Sequence, residues 1–230
     1  MTPLPPIVST EEFESARAAL LLEEKALTHQ LDALAARRRR LPMTPVEKTY
    51  TFAGPEGERS LVDLFDGRRQ LLIYHFMFGP GETEPCGGCS TFTDNMAGLV
   101  HLRQRDANMV WISRAPLDEL LAYRERMGWD IPWYSSAGSD FNYDFGVSRR
   151  GGGEGFRLSV LLRDGDDVYR TYWTAGRGVD RLRVDFNLLD LTPYGRQEPW
   201  EDSPEGWPQT PTMGWLRRHD EYVDEGVRNG

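Results

Sequence analysis

The sequence has few cysteines and no excess of basic residues, which argues against a disulfide-stabilised domain and against a nucleic-acid-binding protein. It has only two cysteines in 230 residues, and it has no excess of positive charge, with 27 Lys and Arg against 36 Asp and Glu. The formal net charge of −9 argues against nucleic acid as the main partner, because neutralising phosphates requires a basic surface. Two cysteines are also fewer than disulfide-dependent domains usually carry.

Long apolar runs are missing as well. No stretch approaches the ~20 apolar residues that a helix needs to cross a bilayer, so a membrane is not an expected partner. The N-terminus, MTPLPPIVSTEEFE, has neither the basic residues nor the continuous apolar segment of a secretory signal. We therefore expect a cytoplasmic protein.

The two cysteines that are present, Cys86 and Cys89, are separated by two glycines. A disulfide across so short a loop would remove little conformational entropy from the unfolded chain, so the pair is not a structural staple. The C-x-x-C spacing instead indicates redox chemistry or metal binding.

Residues 1–45 are predicted to form an extension dominated by one long helix. Ser9-Thr10-Glu11-Glu12 matches a capping box, and Pro42 and Pro45 end the helix. Apolar residues recur along it at helical spacing: Phe13, Ala16, Leu20, Leu27, Leu31 and Leu34. This apolar face must pack against something, and a homodimer through the helix is compatible with the pattern.

Residues 46–190 are predicted to form the main domain, in which strands and helices alternate. The patterns indicate strands at 46–52, 71–78, 108–113, 156–163 and 168–173, and helices at 60–66, 92–102, 116–127 and 179–189. Such alternation predicts an α/β fold, a central mixed sheet flanked by helices, with an antiparallel hairpin at one edge. Residues 191–230 are predicted to be an irregular tail with a short helix at 213–222.

The cysteines lie between a buried strand and a helix, at the edge of the sheet where α/β proteins generally carry their sites. If the chain is helical from Ser90 onward, Cys86 is expected just before or at the first turn, where free N–H groups and the positive helix end favour the thiolate. Cys89 is expected one turn further in, within reach of Cys86 and less exposed. This arrangement predicts a nucleophilic thiol with a resolving partner.

A C-x-x-C motif in a β-α-β frame resembles the thioredoxin superfamily, and GERSLVDLFDGRRQLLIYHFMF is similar to the start of its peroxiredoxin-type members. The chain is still more similar to a bacterial family of unnamed function with a thioredoxin-like fold. The stretches that carry this resemblance are LLIYHFMFGP, CGGCSTFTDNM, WISRAPLDELLAYRERMGWDIPWYSSAGSDFNYDFG, LLRDGDDVYRTYWTAGRG, LLDLTPYGRQE and MGWLRRHDEY. The resemblance covers essentially the whole chain and implies a thioredoxin-like fold.

The chain departs from thioredoxin itself around the motif. Gly87-Gly88 replaces Gly-Pro, and Pro85 stands where thioredoxin has Trp. Phe156-Arg157 stands where thioredoxins place a proline facing the dithiol, which puts the docking surface of a general disulfide reductase in doubt. Peroxiredoxins often place an arginine at the position of Arg157. The resemblance therefore implies that Arg157 lowers the pKa of Cys86.

The leading hypothesis is a thioredoxin-like oxidoreductase that requires no cofactor. Cys86 attacks a disulfide, a peroxide or another electrophile, and Cys89 resolves the intermediate as a disulfide. The substrate is a small molecule or a protein disulfide.

Two other hypotheses remain open at this point. Cys86, Cys89 and His75 provide soft ligands for copper or zinc, which would make the protein a metal carrier or a copper-dependent oxidative enzyme. The fold could also serve as a binding module in which the cysteines have no chemical role.

Overall fold

The computed structural model describes residues 3–222 of the chain. Within this range the chain forms eight strands that belong to one sheet. The strands are β1 (Thr44–Pro45), β2 (Thr51–Gly54), β3 (Gly57–Ser60), β4 (Gln70–His75), β5 (Ala107–Ser113), β6 (Trp133–Ser135), β7 (Arg157–Asp164) and β8 (Asp167–Thr174). The α-helices are α1 (Thr10–Arg38), α2 (Gly87–Asp94), α3 (Val100–Arg103), α4 (Leu117–Arg126), α5 (Phe141–Asp144) and α6 (Val184–Leu189). Short 3-10 helices occupy Asp63–Phe65, Gly176–Leu182 and His219–Glu221.

The sheet is mixed, with the strand order β1-β8-β7-β4-β5-β6-β2-β3. β4, β5 and β6 are parallel neighbours, whereas β7 runs antiparallel to β4 and β8 antiparallel to β7. The order β5-β4-β7-β8, with α2 between β4 and β5, is the arrangement of a thioredoxin-like fold. This confirms the predicted fold class, including the hairpin that Gly165 closes in the left-handed region at φ 60°.

Two apolar cores lie on opposite faces of the sheet. Every residue of the central strand β5 is buried, as expected for a strand that is covered on both sides. One core lies beneath α2, α4 and the cysteine loop, which is the connection between β4 and α2 (residues 76–86). Its members include Tyr74, Cys89, Phe92, Trp111 and Trp133. The opposite core includes Phe52, Phe65, Ile73, Phe141 and Phe145. Successive residues of β4 therefore enter different cores, because side chains alternate along a strand.

The N-terminal helix forms as its capping box predicts, with the Ser9 side chain accepting from the Glu12 amide. The apolar face that was expected to pack against something does not pack within the chain, since no residue of α1 is buried. Phe13, Leu20 and Leu27 are each more than half exposed. The helix is thus stabilised mainly by its own hydrogen bonds, its caps and its length.

Three other predicted helices differ from the structure. The helix expected at 92–102 starts earlier, at Gly87, and breaks before α3 at Gly98, whose φ of 69° is left-handed. The helix expected at 179–189 is divided between a 3-10 segment and α6. The helix expected at 213–222 is absent, because Met213 is left-handed and Arg218 is extended, which leaves only the 3-10 turn His219–Glu221.

No helix among residues 3–222 combines the length and the apolar character needed to span a lipid bilayer.

We expect the sheet, and not α1, to hold most of the stability of the fold. Ile73→Ala should lower the free energy of unfolding by about 2–5 kcal/mol, because Ile73 is fully buried in β4. Leu22→Ala on α1, where Leu22 is 69% exposed, is the matched control and should change it by less than about 0.5 kcal/mol. Denaturant unfolding measures both, and equal losses would contradict this assignment.

Candidate functional site

The C-x-x-C pair is held where the connection after β4 turns into α2. Cys86 is the N-cap residue of α2, and its Sγ accepts a hydrogen bond from the Cys89 amide at 3.4 Å. The Cys86 amide donates to the Met77 carbonyl at 3.3 Å, which ties the loop back to the end of the strand. The Cys86 sulfur therefore lies at the helix end, where free N–H groups stabilise negative charge.

The two thiols lie in different environments. Cys86 is half-buried, whereas Cys89 is 1% exposed and belongs to the apolar core, and neither is in a disulfide. A hydrogen bond from the Cys89 thiol lowers the pKa of Cys86 to about 6 against the effect of burial, aided by the Cys89 and Gly88 amides and the charge of Arg218. Burial, followed by the neighbouring Cys86, raises the pKa of Cys89 well above its ordinary value. At neutral pH the pair is one thiolate and one thiol.

Tyr74 is a member of the site that the sequence did not single out. Its ring stacks on Phe92 at 4.0 Å between centroids, and its hydroxyl lies close enough to the Cys89 thiol to influence its pKa. Burial, followed by the charge of Cys89, raises the pKa of Tyr74 well above its ordinary value, so the phenol stays protonated. Its position in the strand that leads to the motif is the signal that could have identified it.

Arg218 is a second member that sequence reasoning missed. Its Nη2 donates to the Pro85 carbonyl at 2.6 Å, beside Cys86. Its Nη1 pairs with Glu84 at 2.8 Å and also with Glu221. These contacts hold a cation next to the cysteine loop from a segment more than 120 residues away in sequence. The stretch MGWLRRHDEY, part of the resemblance that covers the chain, contains this residue.

Arg157, expected to assist Cys86, lies on the other face of the sheet. It stands opposite His75 in the β4–β7 register, and directly opposed residues point to the same face. Its guanidinium donates to the Phe145 carbonyl and lies over the Trp173 ring at 4.1 Å. The structure therefore does not bring Arg157 to Cys86, and the nearby cation is Arg218.

His75, expected as a third metal ligand, also faces away from the cysteines. Its Nε2 is 2.9 Å from the Ser159 hydroxyl, and its ring stacks on Phe141. Burial, followed by the charges of Arg157 and Arg170, lowers the pKa of His75 to about 3, so the ring is neutral. Within residues 3–222 no three His, Cys, Asp or Glu side chains are grouped as a metal site. The structure does not bring Cys86, Cys89 and His75 together as ligands. Adjacent residues of β4 point to opposite faces of the sheet, and it is Tyr74 that faces the cysteines.

A cavity of about 330 Å³ opens beside the dithiol. Cys86, Cys89 and Tyr74 line one side of it, and residues from the segment 176–213 line the other. The C-terminal part of the chain, expected to be an irregular surface tail, is thus a wall of the site.

The chain belongs to a family of bacterial proteins described as "Bacterial protein of unknown function (DUF899)", whose model matches residues 2–222. No curated protein matches it in sequence.

Solved structures of redox proteins are similar to parts of the chain. A mutant of Xylella fastidiosa PrxQ is 13% identical, with 60% of this chain and 88% of that one covered and a TM-score of 0.44. The peroxidoxin BcpB from Mycobacterium tuberculosis is 18% identical, with coverages of 65% and 97% and a TM-score of 0.45. A putative protein disulfide isomerase from Bacteroides thetaiotaomicron is 18% identical, with coverages of 64% and 92% and a TM-score of 0.43. At these values the likeness says nothing about activity.

Arg218 should contribute to the ionisation of Cys86, after the Cys89 thiol and the helix amides. Its cation favours the thiolate, so Arg218→Ala should raise the pKa of Cys86 and move the pH profile of iodoacetamide alkylation to higher pH. Because the pKa of Cys86 is about 6, most of the thiol is ionised at pH 7, so the alkylation rate there should fall by no more than about twofold, with a larger fall at lower pH. Arg218→Lys keeps the charge and should lie between wild type and Arg218→Ala. A profile that does not move in Arg218→Ala would contradict this role.

Proposed function

We propose that this protein is a dithiol oxidoreductase in which Cys86 is the nucleophile and Cys89 is the resolving thiol. The observation that carries the proposal is the pairing of a half-buried Cys86, whose pKa is lowered to about 6, with a buried Cys89 that keeps its proton. A reactive thiolate and a protected thiol within one helical turn are what a two-step thiol reaction needs.

With a disulfide substrate, the Cys86 thiolate attacks one sulfur and the substrate S–S bond breaks. One substrate thiolate leaves, and a mixed disulfide with Cys86 forms. Cys89 then gives up its proton and attacks the Cys86 sulfur, and the second substrate thiolate leaves. The proton from Cys89 goes to a departing thiolate. Two electrons pass from the dithiol to the substrate, and the protein is left with a Cys86–Cys89 disulfide.

With a peroxide, the same thiolate attacks one oxygen and the O–O bond breaks. The leaving oxygen takes a proton and departs as an alcohol or water, and Cys86 becomes a sulfenic acid. The Cys89 thiol condenses with it, water is released, and the same disulfide forms. In both routes an external thiol reductant restores the dithiol. This chemistry suits a reducing compartment such as the bacterial cytoplasm.

Tyr74 assists the second step in this proposal. Its phenol stays protonated because burial raises its pKa, and it lies beside the Cys89 thiol. As the Cys89 proton leaves, the phenol donates to the developing thiolate and lowers the cost of charge in the apolar core. Tyr74 is thus a positioning residue for the resolving thiol.

Single cysteine variants separate the two steps. Cys86→Ser should lower the rate of substrate reduction by at least about a thousandfold, because the nucleophile is gone. Cys89→Ser should still react once and then stop as a mixed disulfide or a sulfenic acid, which mass spectrometry of the intact protein detects. The double variant is the control for reaction at other side chains. A Cys86→Ser protein that turns over like wild type would overturn the proposal.

A further inference from the structure

The cavity beside the dithiol is large enough for a small organic molecule and too small for a folded partner. Its volume of about 330 Å³ lies at the lower end of the range for ligand pockets, roughly 300–1,000 Å³. Cys86 and Cys89 both line it. A molecule that enters the cavity therefore meets the sulfur that reacts.

Most of the side chains that line the cavity are apolar or aromatic. They come from β4 and the loop after it, from α2, from the residue that precedes β7 and from residues 176–222, here called the C-terminal segment. These side chains are Tyr74, Met77, Phe92, Phe156, Phe186 and Met213. Apolar ligand surface that is buried against this lining stabilises the complex by roughly 25 cal/mol per Å². It offers little to a polar molecule.

The buried arginines that line the cavity are already paired with carboxylates. Arg196 donates to Asp180 at 3.0 Å and to Asp190 at 2.6 Å. The guanidinium of Arg183 is bonded to both carboxylate oxygens of Asp185. These arginines hold the C-terminal segment in place, and their charges are balanced within the protein.

The remaining charged groups of the lining also have partners. Glu198 accepts from the Trp200 indole at 2.6 Å and from the Met213 amide at 3.1 Å. Arg177 contacts Asp180 at 3.4 Å and lies over the Trp200 ring at 3.7 Å. A charged substrate would have to break these contacts or bury its charge unpaired, and both are costly.

The C-terminal segment also limits access to Cys86. Arg218 fastens it to the Pro85 carbonyl and to Glu84, on the loop that precedes Cys86. The Met213 methyl group lies 3.8 Å from where a Cβ on Gly88 would be. These contacts narrow the approach to Cys86 for a bulky protein disulfide.

We infer that the substrate is a small organic molecule with an uncharged, apolar body and an electrophilic sulfur or oxygen, bound in this cavity. The inference rests on the proposed function and narrows it. The apolar body occupies the aromatic lining, and the disulfide or peroxide bond that breaks is presented to Cys86, with the electron and proton balance given above. We expect protein disulfides to be poor substrates, because the C-terminal segment narrows the approach to Cys86.

Matched oxidants test the inference on the reduced wild-type protein. Cumene hydroperoxide is compared with hydrogen peroxide, and diethyl disulfide with oxidised glutathione, while insulin serves as the protein disulfide. Each rate of Cys86–Cys89 disulfide formation is divided by the rate of free cysteine with the same oxidant, which removes intrinsic reactivity. We expect the apolar member of a pair to be favoured by about tenfold or more, and insulin to remain unreduced.

The outcomes separate the inference from the function on which it rests. Equal normalised rates within both pairs, or rapid reduction of insulin, would overturn the substrate class and leave the dithiol function intact. Failure of every oxidant to form the Cys86–Cys89 disulfide would overturn both. A preference for the apolar members, with insulin unreduced, supports both.

A variant pair tests whether the cavity causes the preference. Met213→Gln keeps the length of the side chain but puts a polar amide into the lining, and we expect it to reduce the apolar preference several-fold. Met213→Leu is the apolar control and should keep the preference. Both keep a Cβ at this left-handed position, where φ is 58°. An unchanged preference in Met213→Gln would place the binding of the apolar body elsewhere.

The exposed helix α1 carries an independent feature. Phe13, Leu20, Leu27 and Leu34 recur every seven residues along it, and the first three are more than half exposed. The first turn is acidic, with Glu11 and Glu12, whereas the last turn and the cap carry Arg37, Arg38 and Arg39. Two copies of α1 can pack antiparallel along this apolar column. In that orientation the acidic first turn of each helix lies beside the basic last turn of the other.

We separately propose that α1 of a second copy of this chain covers the column, giving a homodimer with antiparallel helices. Sedimentation of the full-length protein at micromolar concentrations should show a dimer. Leu27→Glu should convert it to a monomer, whereas His29→Glu, about 200° around the helix from Leu27, should remain dimeric. A wild-type monomer, or a Leu27→Glu dimer, would overturn this contact.

Discussion

The alternation of side chains along β4 is the constraint on which the rest of the site depends. β4 lies between β5 and β7 near the middle of the sheet, so each of its faces is covered by a separate apolar core. Tyr74 consequently points to the cysteines, and His75 points to Ser159 and Phe141. A shift of one residue in this register would exchange the two side chains and change the chemistry around the dithiol.

The helix that follows β4 divides the roles of the two cysteines. As N-cap, Cys86 meets the free amides of α2, whereas Cys89 lies a turn later inside the core. The two effects on pKa reinforce each other, since the buried thiol donates its hydrogen bond to the thiolate. The asymmetry of the pair therefore follows from one helical turn, and in the proposed reaction it makes Cys86 the nucleophile and Cys89 the resolving thiol.

The C-terminal segment changes what this thioredoxin-like site can accept. It supplies Arg218 beside the cysteine loop, and it closes the cavity with Phe186, Trp200 and Met213. The segment is held by the buried pairs of Arg196 with Asp180 and Asp190, so its position is fixed by charge pairing as well as by apolar contacts. In our proposal the cavity closed by this segment selects a small apolar molecule. A cysteine loop without the segment would have no cavity with which to select it.

The alternation of strands and helices from β4 to α4, the hairpin at Gly165 and the position of Cys86 near a helix start were determined by sequence, because local periodicity, caps and turn residues act over a few neighbours. The break before α3 at Gly98 and the absence of a helix after Met213 were not, since they depend on backbone angles that packing imposes. Only the tertiary structure decided that Arg157 and His75 lie across the sheet and that Arg218 and Tyr74 join the cysteines. The physical reason is that strand register and the return path of the C-terminal segment are set by contacts between residues far apart in the chain, which no local pattern records.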